Sequence, residues 1–508
     1  MQDYPRVCYE IFVRSFSDSN GDGIGDLNGI INQMGYLAGL GIQGIWITPV
    51  QPSPSYHKYD VTDYCGIDPE FGTLDDFRRL LSVAHAAGIR VYMDLVIHHT
   101  SIRHPWFKQA AGNPGSSYRP YYRWMSDELI DAMGLKERAL TEDAHTINPW
   151  HRVQGDRERF LGIFSREMAD LNFDEPRLND EIDAVARFWL KEIGVDGFRL
   201  DAARHIYPDW EKEKNPVFWT GFAQRVAAIK PDAYLIGEVW AETETVAPFF
   251  RGLNANFNFD ASFKIEAMLI SERQDRFIPW LIRQREVFAG HAAGFVDAVM
   301  LSNHDQQRIG STLSGNTAKL KLAAAILLTL PGQPFLYYGE EIGMLGRKPD
   351  PAIREPFLWG EPPIETTWRR AVYSKKERVQ PLSDALRHPA SLFYVYRALI
   401  RLRNESVAIG QVQFNEIREF CPERPELLTY IRGSGEDACL VVHNLTARYQ
   451  TLSLTHDIVR YGIVRYVTHT AFSLKAGVLR LGKYNSVVLT QVAGNIGQPE
   501  TEVSPALS

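Results

Sequence analysis

The feature that most constrains this chain is a regular alternation of short apolar runs with amphipathic helical patterns between residues 7 and 406. Eight of the runs read as strands, at 7–13, 44–50, 90–99, 197–203, 234–240, 255–260, 297–305 and 334–344. Between them apolar residues recur at helical spacing, as in Phe77, Leu80, Leu81 and Ala84. Strands that alternate with helices form parallel β/α units. Eight such units predict the α/β class and an enlarged (β/α)8 barrel, the TIM barrel.

Two parts of the chain interrupt this alternation. Residues 101–170 are rich in Pro, Gly, Tyr, Trp and charge without a clear period, which predicts an insertion domain after strand 3, over the barrel mouth. Short alternating runs over 409–495, such as ACLVVHNL, predict a C-terminal antiparallel β-sandwich. The barrel then comprises 1–100 and 171–408. The polar residues 496–508 are expected to form a flexible tail.

Composition narrows the classes of partner. The chain has 55 Lys and Arg against 62 Asp and Glu, a net charge of −7, so no nucleic-acid partner bound by bulk charge is expected. No apolar run approaches the roughly 18 residues of a spanning helix, so no membrane partner is expected either. The first strand follows no apolar leader. We expect a monomer, cytoplasmic if Met1 is the native start and periplasmic or secreted if the chain is a processed, mature form.

Three acidic residues stand at the ends of predicted strands: Asp201 after GFRL, Glu238 after LIG and Asp305 after LSNH. Their spacing assigns them to strands four, five and seven. The carboxyl ends of barrel strands meet at one mouth, where catalytic groups are found. Two carboxylates with divided roles in one pocket are the arrangement that cleaves glycosidic bonds. The sequence therefore predicts a glycoside hydrolase.

The neighbours of these acids suggest their roles. Arg199 lies two residues before Asp201 on one strand, so both side chains point to the same face and the guanidinium can keep Asp201 ionised as a nucleophile. Glu238 precedes the apolar pair Val239-Trp240, an environment that raises a carboxyl pKa and suits a general acid. A third carboxylate would stabilise the positively charged transition state or bind sugar hydroxyls.

Several motifs carry a family resemblance over nearly the whole chain. DLVIHH, GVDGFRLDAARH, GEVW and LSNHD, with GIQGIWITP, MADLN and PFLYYGEEIGM, resemble the motifs of α-amylases of glycoside hydrolase family 13. The resemblance is to the intermediate group between oligo-1,6-glucosidases and neopullulanases. It implies that Asp201 is the nucleophile, Glu238 the general acid/base and Asp305 the third carboxylate. The substrate-binding residues that it implies are Tyr59, Asp60, His99, Arg199, His304 and Arg354.

Further positions follow from the same resemblance. Asp94 resembles the family's aspartate that orients the arginine, and Asp350 resembles an acid that pairs with Arg354 at the far side of the subsite. His98 departs from the pattern, because the family has an Asn there that helps to bind calcium between barrel and insertion. We interpret His98 as structural, since consecutive strand residues face opposite sides and His98 and His99 would not chelate one ion.

A second cation site is expected in the segment DSNGDGIGD at 18–26, which sets oxygen-bearing side chains at alternate positions. It is not an EF-hand, because the twelfth position is Gly29 rather than Glu. The resemblance implies a structural Ca²⁺ bound by Asp18, Asn20, Asp22, the Ile24 carbonyl and Asp26. A metal-free loop rich in Asx turns is the alternative. No organic cofactor is expected.

The leading interpretation is a retaining hydrolase of α-1,4-glucosidic bonds in starch, maltodextrins and related α-glucans. An exo-acting α-glucosidase and a transglycosylase of the trehalose-synthase type would use the same carboxylates. A non-catalytic sugar-binding relative is the more distant alternative. The small side chain of Ala202, next to the nucleophile, leaves room for an α-1,4-linked acceptor and differs from the Val in the pattern that relatives cleaving α-1,6 bonds resemble, which implies internal α-1,4 cleavage. Asp60 resembles the aspartate that exo-acting relatives use on a terminal sugar, which implies recognition of a chain end.

Overall fold

The central feature of the fold is a closed barrel of eight parallel strands. The computed structural model describes residues 4–137, 148–413, 416–454 and 460–492, so the predicted tail lies outside the described residues. The barrel strands are β1 (Cys8–Ile11), β2 (Gly44–Ile47), β3 (Arg90–Leu95), β4 (Gly197–Leu200), β5 (Tyr234–Gly237), β6 (Ala255–Phe257), β7 (Val296–Met300) and β8 (Gln333–Tyr337). Each neighbouring pair is parallel, and β8 closes on β1. Every predicted run contains one strand, which confirms the predicted barrel.

Helices connect the strands and cover the barrel. The longer ones are Leu27–Asn32, Met34–Leu40, Leu74–Ala86, Pro176–Arg187, Lys214–Ile229, Phe259–Ser271, Phe277–His291, Thr317–Thr329 and Leu392–Glu405. Four-residue helices lie at Val13–Phe16, Thr243–Val246, Ile309–Thr312, Asp350–Ile353, Leu382–Ala385 and Val407–Gly410. The helix Leu74–Ala86 shows why these segments form: Thr73 and Asp76 make a reciprocal capping box at its start. Its apolar stripe is buried against the barrel.

The barrel interior is a packed core. Large side chains that point inward from the strands are almost fully buried: Trp46, Tyr92, Tyr234, Phe257 and Phe335. Trp46 and Phe257 lie with their rings 5.3 Å apart, and Phe257 contacts Phe335 edge to face at 5.1 Å. Inward side chains fill a barrel of eight strands completely, so functional groups are left to the mouth.

The segment between β3 and β4 folds as an insertion with sheets of its own. Strands His99–Ser101 and Met168–Asp170 pair antiparallel at its two ends. A second small sheet consists of Trp124–Ser126, Trp150–Arg152 and Glu158–Leu161, with helices at Pro105–Ala110 and Asp127–Ala132. These strands have only three or four residues, too few to leave a period in the sequence. The domain boundaries remain predictions.

The C-terminal region is built from two antiparallel sheets, as predicted. One contains Ile417–Glu419, Leu427–Arg432, Cys439–Asn444, Ser486–Gln491 and Tyr461–Val467. The other contains Gln450–Ser453, Val478–Leu481 and Phe472–Lys475. Leu440, Leu452, Leu479 and Leu489 from both sheets share one buried cluster, which is the core of a sandwich. Among the described residues, no helix combines the length and apolar character needed to cross a membrane.

Candidate active site

The predicted carboxylates meet at the barrel mouth around one buried guanidinium. Asp201 directly follows β4, Glu238 directly follows β5, and Asp305 lies in the loop after β7. The fully buried Arg199 donates from Nη1 to Asp94 Oδ1 at 2.8 Å and to Asp201 Oδ1 at 2.6 Å. Its Nη2 lies 2.5 Å from Glu238 Oε1. The expectation that Arg199 and Asp201 share a face is confirmed, and the same cation holds Glu238 beside them.

The turn after β4 brings the backbone onto Glu238. Ala202 has a φ of 47°, which lies in the left-handed region. Residues other than Gly adopt this backbone conformation only at a cost in free energy. In this conformation the Ala202 N–H donates to Glu238 Oε2 at 2.9 Å. Strain of this kind concentrates where the surrounding structure fixes a functional geometry. The conformation of Ala202 therefore helps to orient the Glu238 carboxyl group.

His304 forms a second centre of charge at the mouth. Its Nδ1 lies 2.6 Å from Glu10 Oε1, and its Nε2 lies 3.0 Å from Asp305 Oδ2. The Tyr59 hydroxyl is 2.6 Å from His304 Nε2 and donates to Asp94 Oδ2 at 3.0 Å. The Tyr59 and His304 rings are stacked with centroids 5.4 Å apart. Tyr59 thus connects the histidine to the aspartate that binds the central arginine.

Arg354 closes the site on the side of Asp305. It donates from Nη2 to Asp305 Oδ1 at 2.6 Å and from Nε to the His304 carbonyl at 2.8 Å. Its Nη1 donates to the Tyr56 hydroxyl at 3.0 Å, and Asp350 Oδ2 lies 3.3 Å from its Nη2. The structure therefore places the pair Asp350 and Arg354 at the mouth, where Arg354 neutralises Asp305.

The two acids that flank the mouth differ in ionisation. Burial raises the pKa of Glu238 to about 8, aided by the charges of Asp201 and Asp305 and opposed by Arg199. Burial would also raise the pKa of Asp305, but His304 and Arg354 hold it well below its usual range. Glu238 is thus protonated near neutral pH, the state of a general acid, while Asp305 is an anion.

The same balance fixes the charge of His304. Burial alone would lower its pKa, but the carboxylates of Asp305 and Glu10 raise it to about 10. Since each ring nitrogen faces a carboxylate, both act as donors in the imidazolium form. Burial also raises the pKa of Asp94 to about 6, against the opposing effect of Arg199.

The tandem histidines correct one expectation. The prediction that His98 and His99 face opposite sides is wrong, because their Nδ1 atoms lie 2.9 Å apart. The reason is that β3 ends at Leu95 and His99 begins a separate short strand, so strand alternation does not apply between them. His99 Nε2 lies 3.1 Å from the Tyr59 carbonyl, and His98 Nε2 lies 3.7 Å from Asp170 Oδ2. Both rings are buried within the protein.

Asp60 lies next to Tyr59 but has different partners. Its Oδ1 accepts a hydrogen bond from the Ser53 hydroxyl at 2.6 Å and another from the Ser55 hydroxyl. The residue is buried. These bonds hold the Asp60 carboxylate in a defined position one residue beyond the tyrosine that reaches His304.

The carboxylates of the loop at 18–26 accept hydrogen bonds from the backbone of the loop itself. Asp18 accepts three backbone N–H groups of its own loop at 2.7 to 3.0 Å, and Asp22 and Asp26 accept further N–H groups, with Ile24 donating to Asp22 at 2.8 Å. Asn20 Oδ1 accepts from Asp22 at 2.9 Å. Within the described ranges, no three His, Cys, Asp or Glu side chains converge as a metal centre.

The donor set nevertheless suits a hard cation. Asp18 and Asp26 are both buried, and in the described part of the chain neither they nor Asp22 forms an ion pair with a basic side chain. Buried carboxylates without a countercharge are costly. Oxygen ligands of this kind are those that Ca²⁺ prefers. The residues present therefore fit the ion that the resemblance implies.

Two residues of the site were missed by sequence reasoning. Glu10 lies on β1 inside the apolar run VCYEIFV, and its carboxylate holds His304. A charged residue within a barrel strand must find a partner when buried, and this signal could have identified it. Tyr56, which bonds to Arg354, lies in a loop without any such signal.

Comparisons with known proteins agree with this geometry. The chain matches the family model "Alpha amylase, catalytic domain" over residues 10–411 and that of the "Alpha-amylase SusG C-terminal domain" over residues 427–488. It is 38% identical to Alpha-amylase 3 of Dictyoglomus thermophilum, covering 95% of this chain and 92% of that protein. It is 34% identical to a 4-alpha-glucanotransferase of Thermotoga maritima, covering 87% of this chain and 96% of that protein.

A solved structure gives the same result. The crystal structure of an alpha-amylase from H. orenii superposes with a TM-score of 0.86 at 36% identity, covering 96% of this chain and 99% of that one. The match includes both the barrel and the C-terminal sheets. The barrel, the three carboxylates at its mouth and these matches together place the chain in the α-amylase family of glycosidases, family 13 of the glycoside hydrolases.

Proposed function

We propose that the protein is a retaining hydrolase of α-1,4-glucosidic bonds in starch and related α-glucans. The observation that carries the proposal is that one buried guanidinium, that of Arg199, contacts both Asp201 and Glu238. Two carboxyl groups bound to one guanidinium favour the short separation of about 5–5.5 Å that a retaining mechanism requires, rather than the longer one of inverting enzymes. Transfer of a sugar unit to another sugar would use the same first step.

The mechanism begins with attack of Asp201 on the anomeric carbon. The glycosidic C–O bond breaks as Glu238 gives its proton to the leaving oxygen, so a covalent glycosyl-enzyme forms. Glu238 is then a carboxylate and takes a proton from a water molecule, which attacks the same carbon and releases Asp201. Two inversions at one carbon give a product with the original anomeric configuration.

Asp305 acts on the charge that develops on the sugar. Its anion, held by His304 and Arg354, lies at the mouth, where an oxocarbenium-like transition state carries positive charge. Because the cations fix the position of the carboxylate, little reorganisation is needed during the reaction. Tyr59, His99 and Asp60 are the remaining groups that we assign to binding the cleaved sugar.

Proton NMR of the first products tests the assignment. With soluble starch we expect the newly formed reducing end to appear first as the α-anomer, before mutarotation, and Asp201→Asn to abolish its release. First appearance of the β-anomer would indicate an inverting enzyme and overturn the proposed role of Asp201. Absence of any new reducing end from starch, maltotriose and maltose would overturn hydrolysis itself.

The bond preference is a separate part of the proposal. The small Ala202 beside the reacting acids leaves room for an α-1,4-linked leaving chain, and we propose internal cleavage of such bonds. A viscosity loss that runs ahead of reducing-end release would support it. Glucose as the sole early product would instead indicate an exo-acting α-glucosidase. Longer oligosaccharides formed from maltotriose would indicate transglycosylation, as the name of the Thermotoga relative suggests.

We further infer that the loop at 18–26 holds one structural Ca²⁺, through Asp18, Asn20, Asp22, the Ile24 carbonyl and Asp26. The ion would supply the countercharge that the loop carboxylates lack and so stabilise the first β/α connection. Chelation should lower the Tm, and added Ca²⁺ should restore it. An unchanged Tm in chelator, with no metal found by elemental analysis, would refute the site. The monomeric state and the compartment stay predictions from the sequence.

A further inference from the structure

A groove opens where the insertion meets the loop that follows β4. Its volume is about 380 Å³. Trp124, Trp150 and Glu158 line it from the insertion, and Trp210 lines it from the turn Asp209–Glu211. None of the described residues that line it belongs to the network around Arg199 and His304. The groove therefore shares no lining residue with the candidate active site described above.

Two tryptophans form one side of the groove, Trp150 from the insertion and Trp210 from the turn Asp209–Glu211. Trp150 is buried, and its indole N–H donates to the Leu135 carbonyl at 2.9 Å, which fixes its ring. Trp210 stacks on it with centroids 6.2 Å apart and an interplanar angle of 21°, yet Trp210 remains 38% exposed. A large ring that is held in place and open to a cavity is suited to pack on the flat apolar face of a ligand.

The polar groups of the groove are already balanced in charge. Arg119 Nη1 lies 2.6 Å from Asp156 Oδ2, and its Nη2 lies 2.8 Å from Glu158 Oε2. Arg123 Nη1 lies 3.1 Å from Glu211 Oε2. Since each lining guanidinium faces a carboxylate, the groove offers little to a strongly charged ligand. A neutral ligand with flat apolar faces and many hydroxyl groups fits better.

We propose that this groove binds a stretch of α-glucan chain outside the catalytic pocket. Sugar rings would pack on Trp210, while the carboxylates of Glu158 and Asp174 would accept hydrogen bonds from sugar hydroxyls and the Asn172 amide could donate or accept them. The volume lies within the range of about 300–1,000 Å³ found for small-molecule sites. The proposal rests on the proposed function for the identity of the sugar, and it adds a site that holds long chains near the mouth.

Binding of amylopectin measures this site directly. All proteins would carry Asp201→Asn, so that the polymer is not degraded, and the Kd would be read by affinity electrophoresis. Trp210→Ala should weaken binding about five- to tenfold, the energy of one aromatic stacking contact, while Trp210→Phe stays near the reference. The matched control is Tyr449→Ala, because Tyr449 is a ring of the C-terminal region, just before the strand Gln450–Ser453, and is 54% exposed.

A second measurement separates the groove from the catalytic pocket. In chains with Asp201 intact, Trp210→Ala should leave the KM for maltotriose within about twofold, because this short substrate is held at the mouth. Should Trp210→Ala lower the Tm, Trp210→Leu, which keeps apolar bulk without a flat face, is expected to show the same loss of amylopectin binding.

Three outcomes would overturn the proposal. These are unchanged amylopectin affinity of the Trp210 variants, an equal loss with Tyr449→Ala, or a rise in the maltotriose KM as large as the loss of amylopectin affinity. The failure of the proposed function is recognised differently. In that case the chain with Asp201 intact would release no reducing sugar from maltotriose or starch, whatever the Trp210 variants bind.

Discussion

The acids that follow two adjacent strands of the barrel differ in exposure and in what surrounds them, since the Asp305 side chain is 30% exposed whereas Glu340 and Glu341 are buried. After β7, Asp305 contacts the cations of His304 and Arg354. After β8, Glu340 and Glu341 lie in the turn Glu340–Ile342, where Glu340 accepts the Tyr396 hydroxyl at 2.9 Å.

Glu341 likewise accepts hydroxyls, from Tyr9 at 2.8 Å and from Tyr36. Burial raises the pKa of Glu340 to about 8 and also raises that of Glu341. The comparison indicates that burial raises the pKa of Glu340 and Glu341, whereas the contacts with His304 and Arg354 keep Asp305 charged. The acids after β7 and β8 thus differ in charge because different groups contact them.

The strongest test of this comparison replaces Asp201, an acid of the mouth that contacts the cation of Arg199, and Glu340, an acid after β8 with no cation in contact among the described residues. Asp201→Asn should lower kcat by about three orders of magnitude or more, because it removes the attacking oxygen anion and keeps the shape. Glu340→Gln, which resembles the neutral acid already present, should keep kcat within about threefold. Steady-state kinetics on maltotriose at pH 6 would measure both. A Asp201→Asn variant with a tenth of the original rate would contradict the assignment of the nucleophile.

The pH dependence of the rate tests the protonation of Glu238. Because its pKa is raised to about 8, the acid is protonated below this pH and loses its proton above it. The rate should therefore be limited on the alkaline side near pH 8 and fall about tenfold per pH unit beyond it. With Glu238→Gln this limb should vanish from the small residual rate. An alkaline limit near pH 5 would exclude a raised pKa.

Glu10 is expected to act through His304 rather than on the substrate. Glu10→Gln removes a carboxylate from His304 Nδ1, so the pKa of His304 should fall from about 10 by about one unit or more. The fall of kcat/KM above about pH 9 should then become steeper, because His304 loses its proton there in addition to Glu238, with a smaller effect at pH 6. Glu10→Asp, which restores the charge, is the control. An equal loss at all pH values would indicate a purely structural role.

The smallest effect is expected on the way in which the stability of the protein depends on pH through Glu340. The pKa of Glu340 rises from 4.5 to about 8 on folding, so its protonated form stabilises the folded state at low pH. This contribution is lost as pH rises from about 4.5 through 8. Thermal scans would measure the change in Tm between about pH 4.5 and pH 8. This change should be smaller by several degrees in Glu340→Gln than in the unmodified chain. A Tm profile parallel to that of the unmodified chain would show that Glu340 is charged.

Much of the fold could be predicted because local sequence patterns indicate the type and order of its strands and helices. Strand-length apolar runs separated by helical periods give the order of the barrel, and covalent order fixes which residues follow each strand. Asp201 and Glu238 were placed in this way, since each directly follows a barrel strand. The pairing of Arg199 with Asp201 needed only the period of two along β4.

The contacts that decide the chemistry arise only in the tertiary structure. Glu10 meets His304 across 294 positions of the chain, and Arg354 reaches Asp305 from another loop. The groove at Trp150 and Trp210 likewise joins the insertion to the turn after β4. No local pattern encodes such contacts, because loops that are distant in sequence converge only once the barrel has closed. The charge of each buried acid depends on which cation that closure brings to it, and this the sequence alone left open.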